Sequence, residues 1–210
     1  MRQVIHLLPI EPFEERYTDQ WYRWWKLDLE KNGFNVNVIE GCNIGEREGG
    51  EWLSPIDTWI WKGRQVENLA RAWSSGMIKE GDLIFSTDLW NPCMTAALYM
   101  KHTTGLNVRI GGFYHAGASD PQDFLTHKGC RKWALDVERG WVKGLDYILC
   151  GSNFAGMMLR DQINLWKGQG AKVYATGYPF NVDEIRGQVH FEEWEERDRL
   201  VVFPHRLAQE

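Results

Sequence analysis

The chain has 210 residues, of which 43% are hydrophobic and 25% charged, and its formal net charge at pH 7 is −5. A globular domain typically contains about 100–200 residues, so the chain is long enough to bury a core of its own. The negative net charge argues against a protein that binds nucleic acid chiefly through a basic surface. No window approaches the about 18 consecutive apolar residues of a membrane-spanning helix.

The N-terminus and the cysteines favour a cytoplasmic protein. The opening apolar run is short, acidic residues follow it, and it lacks the features of a signal peptide. The four cysteines are widely spaced without a CxxC pair, and the histidines form no HExxH pattern. We therefore expect reduced thiols and no metal site.

The first three elements are predicted as a strand, a helix and a strand. The first strand covers residues 3–10 and is stopped by prolines. Thr18 is the candidate N-cap of a helix in which apolar residues recur every four positions, and Gly33 ends this helix. Residues 34–41 alternate between apolar and polar side chains, which predicts the second strand.

Residues 42–62 contain several glycines, a proline and three tryptophans, and we expect a long loop there, partly packed by its own aromatic side chains. A helix is predicted from about Gln65 to Met77. The remaining predicted elements are a strand over 83–87, a helix through Met94–Lys101, a strand over 107–113, a helix over 131–143, a strand over 146–152, a helix over 153–170 and a strand over 171–177.

Strands that alternate with helices of ten or more residues predict βαβ units. The fold class is therefore α/β, with a Rossmann-like parallel sheet and helices on both faces, and residues 1–182 form this domain. Residues 183–199 are dense in charge and are interpreted as an interdomain linker. Residues 200–210 begin a new strand, which we interpret as the first strand of a C-terminal domain that the chain does not include.

Ligands of open α/β sheets bind beyond the carboxyl ends of the strands. The predicted strands place four loops there, over residues 9–17, 88–91, 114–123 and 151–153. The first loop lacks the GxGxxG pattern, so we expect no NAD, FAD or other cofactor. Glu14 and Glu15 in this loop are explained by the helix dipole; as the alternative, Arg16 and Tyr17 beside them are candidates to contact a polar ligand across the cleft. In the fourth loop, Ser152 and Asn153 are typical of an N-cap.

The loop over 114–123 is the strongest candidate site. His115 follows a strand, and Ser119 and Asp120 belong to a tight polar turn. A histidine in this position can donate to sugar hydroxyls or phosphate oxygens or transfer a proton, and Asp120 can accept from a hydroxyl. A structural histidine and an Asx-Pro turn are the alternative. Asp88, at another strand end, lines the same cleft or caps the next helix.

Three segments in the last third of the chain resemble a known family: DYILCGSNFAGMMLRD, KVYATGYPFNVDEI and RLVVFPHRLAQE. The first resembles the strand-to-helix junction near the end of the N-terminal domain in glycosyltransferases of the GT-B class. The second resembles their V–G–PFN segment, and the third resembles the first strand of their C-terminal domain with its HR-containing turn. The group most similar is the retaining, family-4-like one, which includes enzymes that glycosylate modified nucleosides in tRNA or phage DNA. The resemblance covers residues 146–210, and the rest of the chain shares only the strand–helix order.

The resemblance implies a hexosyltransferase that moves a sugar from a UDP- or GDP-linked nucleotide-sugar to an acceptor hydroxyl, with retention of configuration. It implies that His115 approaches the donor hexose and that Arg206 lies at the cleft on the interdomain side. The chain would be the N-terminal, acceptor-side half of this enzyme and would be inactive alone.

Two other functions and two acceptor classes stay open. The chain is alternatively a stand-alone Rossmann-like ligand-binding module or part of a GT-B sugar-nucleotide epimerase. A small-molecule or lipid-linked acceptor would bind an apolar cleft along the tryptophan-rich stretch 52–61. A nucleic acid acceptor would require a basic, aromatic groove, for which the candidates near the His115 loop are Arg109, Lys128, Arg131, Lys132 and Trp133.

Overall fold

A computed structural model describes residues 3–12, 17–42, 55–121, 123–163 and 170–188. The chain divides into two compact units, Met1–Phe180 and Asn181–Glu210. In the part of the chain that is described, no helix is long and apolar enough to cross a membrane. The predicted strand over 200–210, with Arg206, lies outside the described residues, as does Arg16.

The first unit contains one six-stranded sheet, and all its strand pairs are parallel. The spatial order is β2-β1-β3-β4-β5-β6. The chain therefore moves from β1 to one side and then crosses to the other side for β3, which makes the carboxyl ends of β1 and β3 the switch point of the sheet. The strands are β1 (Val4–Leu8), β2 (Asn35–Val38), β3 (Leu83–Ser86), β4 (Arg109–Tyr114), β5 (Tyr147–Cys150) and β6 (Lys172–Ala175).

Helices cover both faces of the sheet, as predicted. Trp21 of the first helix packs with Ile5, Leu7, Phe85 and Phe113 on one face. The larger core on the other face joins apolar residues of four helices to the strands. The helices are α1 (Tyr17–Lys31), α2 (Pro55–Ser74), α3 (Cys93–Thr104), α4 (Phe124–His127), α5 (Arg131–Gly144), α6 (Asn153–Ile163) and α7 (Val182–Gln188).

The loop predicted over residues 42–62 is wrong from residue 55 onward, because α2 begins at Pro55. A proline in the first turn has its φ already fixed near the helical value, and Asp57 there suits the helix dipole. Trp61 does not pack within a loop: it is 3% exposed and lies against Gly41, where a Cβ atom would overlap its ring. The helix ends at Ser74, earlier than the predicted Met77.

Of three residues predicted as helix N-caps, only one caps its helix in the structure. Ser152 caps α6 as predicted, since its hydroxyl accepts a hydrogen bond from the Ala155 amide at 3.1 Å. Thr18 lies inside α1, which begins one residue earlier. Asp88 does not cap α3, because that helix begins at Cys93 and its N-cap, Pro92, makes no side-chain cap bond.

The second unit begins with a short helix inside the segment predicted as a linker. Asn181 precedes α7 and forms two hydrogen bonds with Glu184: its Oδ1 accepts from the Glu184 amide at 3.3 Å, and its Nδ2 donates to the Glu184 carboxylate at 3.0 Å. This reciprocal arrangement stabilises the first turn of a helix. The rest of the predicted linker, residues 189–199, lies outside the described residues.

Candidate functional site

The loops after β3 and β4 bring charged groups together at the carboxyl edge of the sheet. Asp123 interacts electrostatically with Asp120, Asp88 and His115. Burial raises the pKa of Asp123 above its usual range, the two aspartates act in the same direction, and His115 opposes them. Three predicted site residues, Asp88, His115 and Asp120, therefore lie around Asp123 at this edge. Asp123 belongs to the predicted loop 114–123 but was not predicted as a site residue.

Aromatic rings surround His115. Its imidazole is half-buried and packs edge-on against Trp21 at 5.3 Å and against Tyr178 at 5.8 Å between ring centroids. The Tyr178 ring lies over Gly151 at the end of β5, where a Cβ atom would overlap it. Phe180 lies 6.1 Å from Tyr178 and is 46% exposed, so an aromatic surface open to solvent adjoins the histidine. Such faces suit stacking on sugar rings or bases.

The loop after β3 is held in shape by its own side chains. The Asp88 carboxylate accepts from the Trp90 amide at 3.1 Å, and the Asn91 side chain accepts from the Cys93 amide at 2.9 Å. The Ser86 hydroxyl donates to the Asp88 carbonyl at 2.6 Å. The bonds of Asp88 and Asn91 are Asx-type turns. Together with the Ser86 bond they fix Asp88, which is half-buried, at the edge of the sheet.

Glu138 of α5 fixes the loop that carries His115 through hydrogen bonds, and it was not among the residues predicted from the sequence. It is 1% exposed, and its Oε1 accepts from the Trp90 indole at 2.7 Å and from the Ala118 amide at 2.6 Å. Burial raises its pKa to about 7. A Cβ atom on Gly117 would overlap this carboxylate. The available signal was a glutamate on the apolar face of the predicted helix, four residues after Ala134.

Ser119 is buried rather than open to a ligand. It is 1% exposed, and its hydroxyl is hydrogen bonded to the Tyr114 hydroxyl. The Asp120 amide donates to the Gly117 carbonyl at 2.9 Å, which closes a turn, and the Asp120 carbonyl accepts from the Thr126 hydroxyl at 3.1 Å. Asp120 itself is half-buried. In this arrangement Ser119 shapes the loop and Asp120 borders the open edge.

A second group of polar side chains is buried at the switch point between β1 and β3. Gln65 of α2, fully buried, donates to the carbonyls of Pro9 and Ile39, both at 2.9 Å, and accepts from Asn91 at 2.6 Å. The Ile10 amide donates to the Thr87 hydroxyl at 2.8 Å. Glu11 and Lys62 are also buried here. This group was not predicted from the sequence: Lys62 fell in the segment 42–62 predicted as a loop, and the other residues were assigned to elements without a buried polar role.

The basic residues proposed for a nucleic acid groove do not all lie near His115. Arg109 begins β4, so it lies at the amino edge of the sheet, separated from His115 by about 20 Å of extended strand. The expectation that it lies near the His115 loop is wrong. Lys128 lies between α4 and α5, and Arg131 and Lys132 are the first residues of α5. The Trp133 ring lies 6.1 Å from that of Trp90.

Tyr17 begins α1, and its side chain is not among the described ones. Within the described residues, no group of three histidine, cysteine or acidic side chains is placed to hold a metal ion. No protein-family model matches the chain, and no curated protein matches it.

Proposed function

We propose that this chain is the acceptor-side domain of a GT-B glycosyltransferase, a hexosyltransferase that moves a sugar from a nucleotide-sugar to an acceptor hydroxyl. The observation that carries the proposal is the position of His115. It follows β4 at the carboxyl edge of the sheet. Asp123 interacts electrostatically with His115 and also with Asp88 and Asp120. The resemblance of residues 146–210 to GT-B enzymes supports the same function.

Each group has a role in the proposed reaction. His115 donates a hydrogen bond to a hydroxyl or phosphate oxygen of a UDP- or GDP-linked donor. Asp88 and Asp120 accept hydrogen bonds from the acceptor, and Glu138 holds the loop that carries His115. Transfer with retention of configuration requires no dedicated base in this domain. In the proposed enzyme the nucleotide binds the donor-side domain, not the domain that carries His115.

The test is donor turnover by the longest reading frame that contains this chain. It is assayed with a panel of UDP- and GDP-sugars for hydrolysis and for transfer. We expect one donor to be turned over, and we expect His115→Ala to lower kcat about 100-fold or more, the usual contribution of a positioned acid–base or hydrogen-bonding group. His102→Ala is the control, because His102 is exposed near the end of α3 and far along the helix from this edge.

Two outcomes would favour the alternatives. Binding of a nucleotide-sugar with no turnover of any donor would indicate a Rossmann-like binding module. Conversion of the donor to its epimer, without transfer to an added acceptor, would indicate a GT-B epimerase. Equal activity of the His115→Ala and His102→Ala proteins would remove His115 from the site.

A further inference from the structure

Glu138 joins the two loops that carry the predicted site residues. Its Oε1 accepts from the Trp90 indole in the loop after β3 at 2.7 Å and from the Ala118 amide in the loop after β4 at 2.6 Å. Trp90 in turn donates its own amide to the Asp88 carboxylate at 3.1 Å. A continuous path of hydrogen bonds therefore leads from Asp88 through one oxygen of Glu138 to the loop that contains His115.

Close packing around the Glu138 carboxylate holds both loops against α5. The side chain is 1% exposed, and a Cβ atom on Gly117 would overlap its Oε1, so the backbone of the loop after β4 lies directly on the carboxylate. The Trp90 ring packs edge-on against Trp141, also of α5, at 5.1 Å between ring centroids. The two loops are thus attached to one helix, and Glu138 makes a hydrogen bond to each of them.

The strength of both bonds depends on the charge of Glu138. A hydrogen bond to an ionised acceptor is roughly twice as strong as one between neutral groups. Burial raises the pKa of Glu138 to about 7, and the charge of Asp123 acts in the same direction, while the bonds from Ala118 and Trp90 oppose them. Below this pH the protonated carboxyl group holds both donors weakly, and above it the carboxylate holds them tightly.

Titratable groups of the neighbouring elements act on the same carboxyl group. Tyr114 ends β4, and burial raises its pKa above the usual range, so its hydroxyl stays neutral near pH 7. Asp123 lies in the loop after β4 and interacts in turn with Asp88 of the loop after β3 and with His115. The charge of Glu138 therefore belongs to the same electrostatic network as the site residues of both loops.

We propose that Glu138 is a positioning residue that sets Asp88 relative to His115, so that losing its charge loosens both loops and slows sugar transfer. The proposal rests on the proposed function for the word transfer, whereas the coupling of the two loops stands on the hydrogen bonds. A glutamine could accept the same two bonds without a charge, so what the carboxylate adds is a response to pH. Transfer accelerates as the pH rises through about 7, where Glu138 ionises.

NMR of the full chain tests the coupling without any substrate. The Trp90 indole N–H and the Ala118 amide are followed from pH 5 to pH 9, and the indole signal is assigned by its loss in Trp90→Phe. We expect the two signals to shift with one common midpoint at about pH 7, and neither to show this shift in Glu138→Gln. Two different midpoints in the wild type, or unchanged shifts in Glu138→Gln, would overturn the proposal.

Turnover by the longest reading frame tests the effect on the site. We expect the ratio of the wild-type kcat to that of Glu138→Gln to rise from near one at pH 6 to about three- to tenfold at pH 8. His115 and Asp123 change charge in both proteins, so this ratio isolates Glu138. Trp90→Phe removes the indole donor and keeps an aromatic ring. It should raise the KM of the acceptor more than that of the donor, because it releases the loop with Asp88 and leaves the Ala118 bond intact.

Glu80→Gln is the matched control. Glu80 also accepts a backbone hydrogen bond, from the Asn107 amide at 3.0 Å, but it is exposed and precedes β3 at the amino edge of the sheet. This variant should keep the wild-type kcat at every pH. A kcat ratio for Glu138→Gln that does not change with pH would remove the positioning role and keep the transferase. A shared NMR midpoint without turnover of any donor would remove the transferase and keep the two loops coupled through Glu138.

Discussion

Glu138 is a buried carboxylate whose ionisation the fold disfavours. Burial raises its folded-state pKa from 4.5 to about 7, so the folded protein binds a proton between these values that the unfolded chain has released. Stability from this group is full below pH 4.5 and falls as the pH rises to about 7, by at most about 3 kcal/mol. We expect Glu138→Gln to abolish this part of the pH dependence, measured by urea unfolding at pH 5 and pH 8. Glu30→Gln, at an exposed position of α1, should retain it. An equal pH dependence in the wild type and Glu138→Gln would contradict this explanation.

Helix α2 joins three parts of the carboxyl edge through one side chain. Gln65 bonds the carbonyls after β1 and β2 and the Asn91 amide after β3. We expect Gln65→Leu to lower the free energy of unfolding by about 3 kcal/mol or more, because it leaves several buried groups without partners. Asn68→Ala on the same helix is the control. Its amide donates to the exposed Glu40 carbonyl at 2.9 Å, so we expect a loss under about 1 kcal/mol in urea unfolding. Similar losses would show that burial does not matter here.

The elements that the sequence predicts well are those with one clear periodicity. The six strands and the helices α1, α5 and α6 have the apolar spacing of their class, and their order leads directly to the parallel sheet. The start of α2 was missed because glycines and tryptophans before Gln65 indicate a loop, while the polar residues Thr58 and Lys62 conceal its inward face. The position of His115 at the carboxyl edge follows from strand order alone. Its contact with Tyr178 depends on tertiary packing, which no local pattern contains.

The strands of the sheet in the first unit contribute side chains to two hydrophobic cores, one on each face, so neither core can form without the sheet. Leu7 and Phe85 point into one core, while the neighbouring Leu8 and Ile84 point into the other. If the helices on one face detached, the strands that the other core also uses would be exposed. We therefore expect the amides of β1, β3 and β4 to exchange hydrogen with one common free energy of opening, equal to that of global unfolding. Hydrogen exchange followed by NMR in low denaturant measures it. The edge strand β2, whose side chains are half-buried or exposed, should exchange faster by local opening. A lower value for β4 than for β1 would mean that the strands on the two sides of the switch point open independently and do not form one cooperative unit.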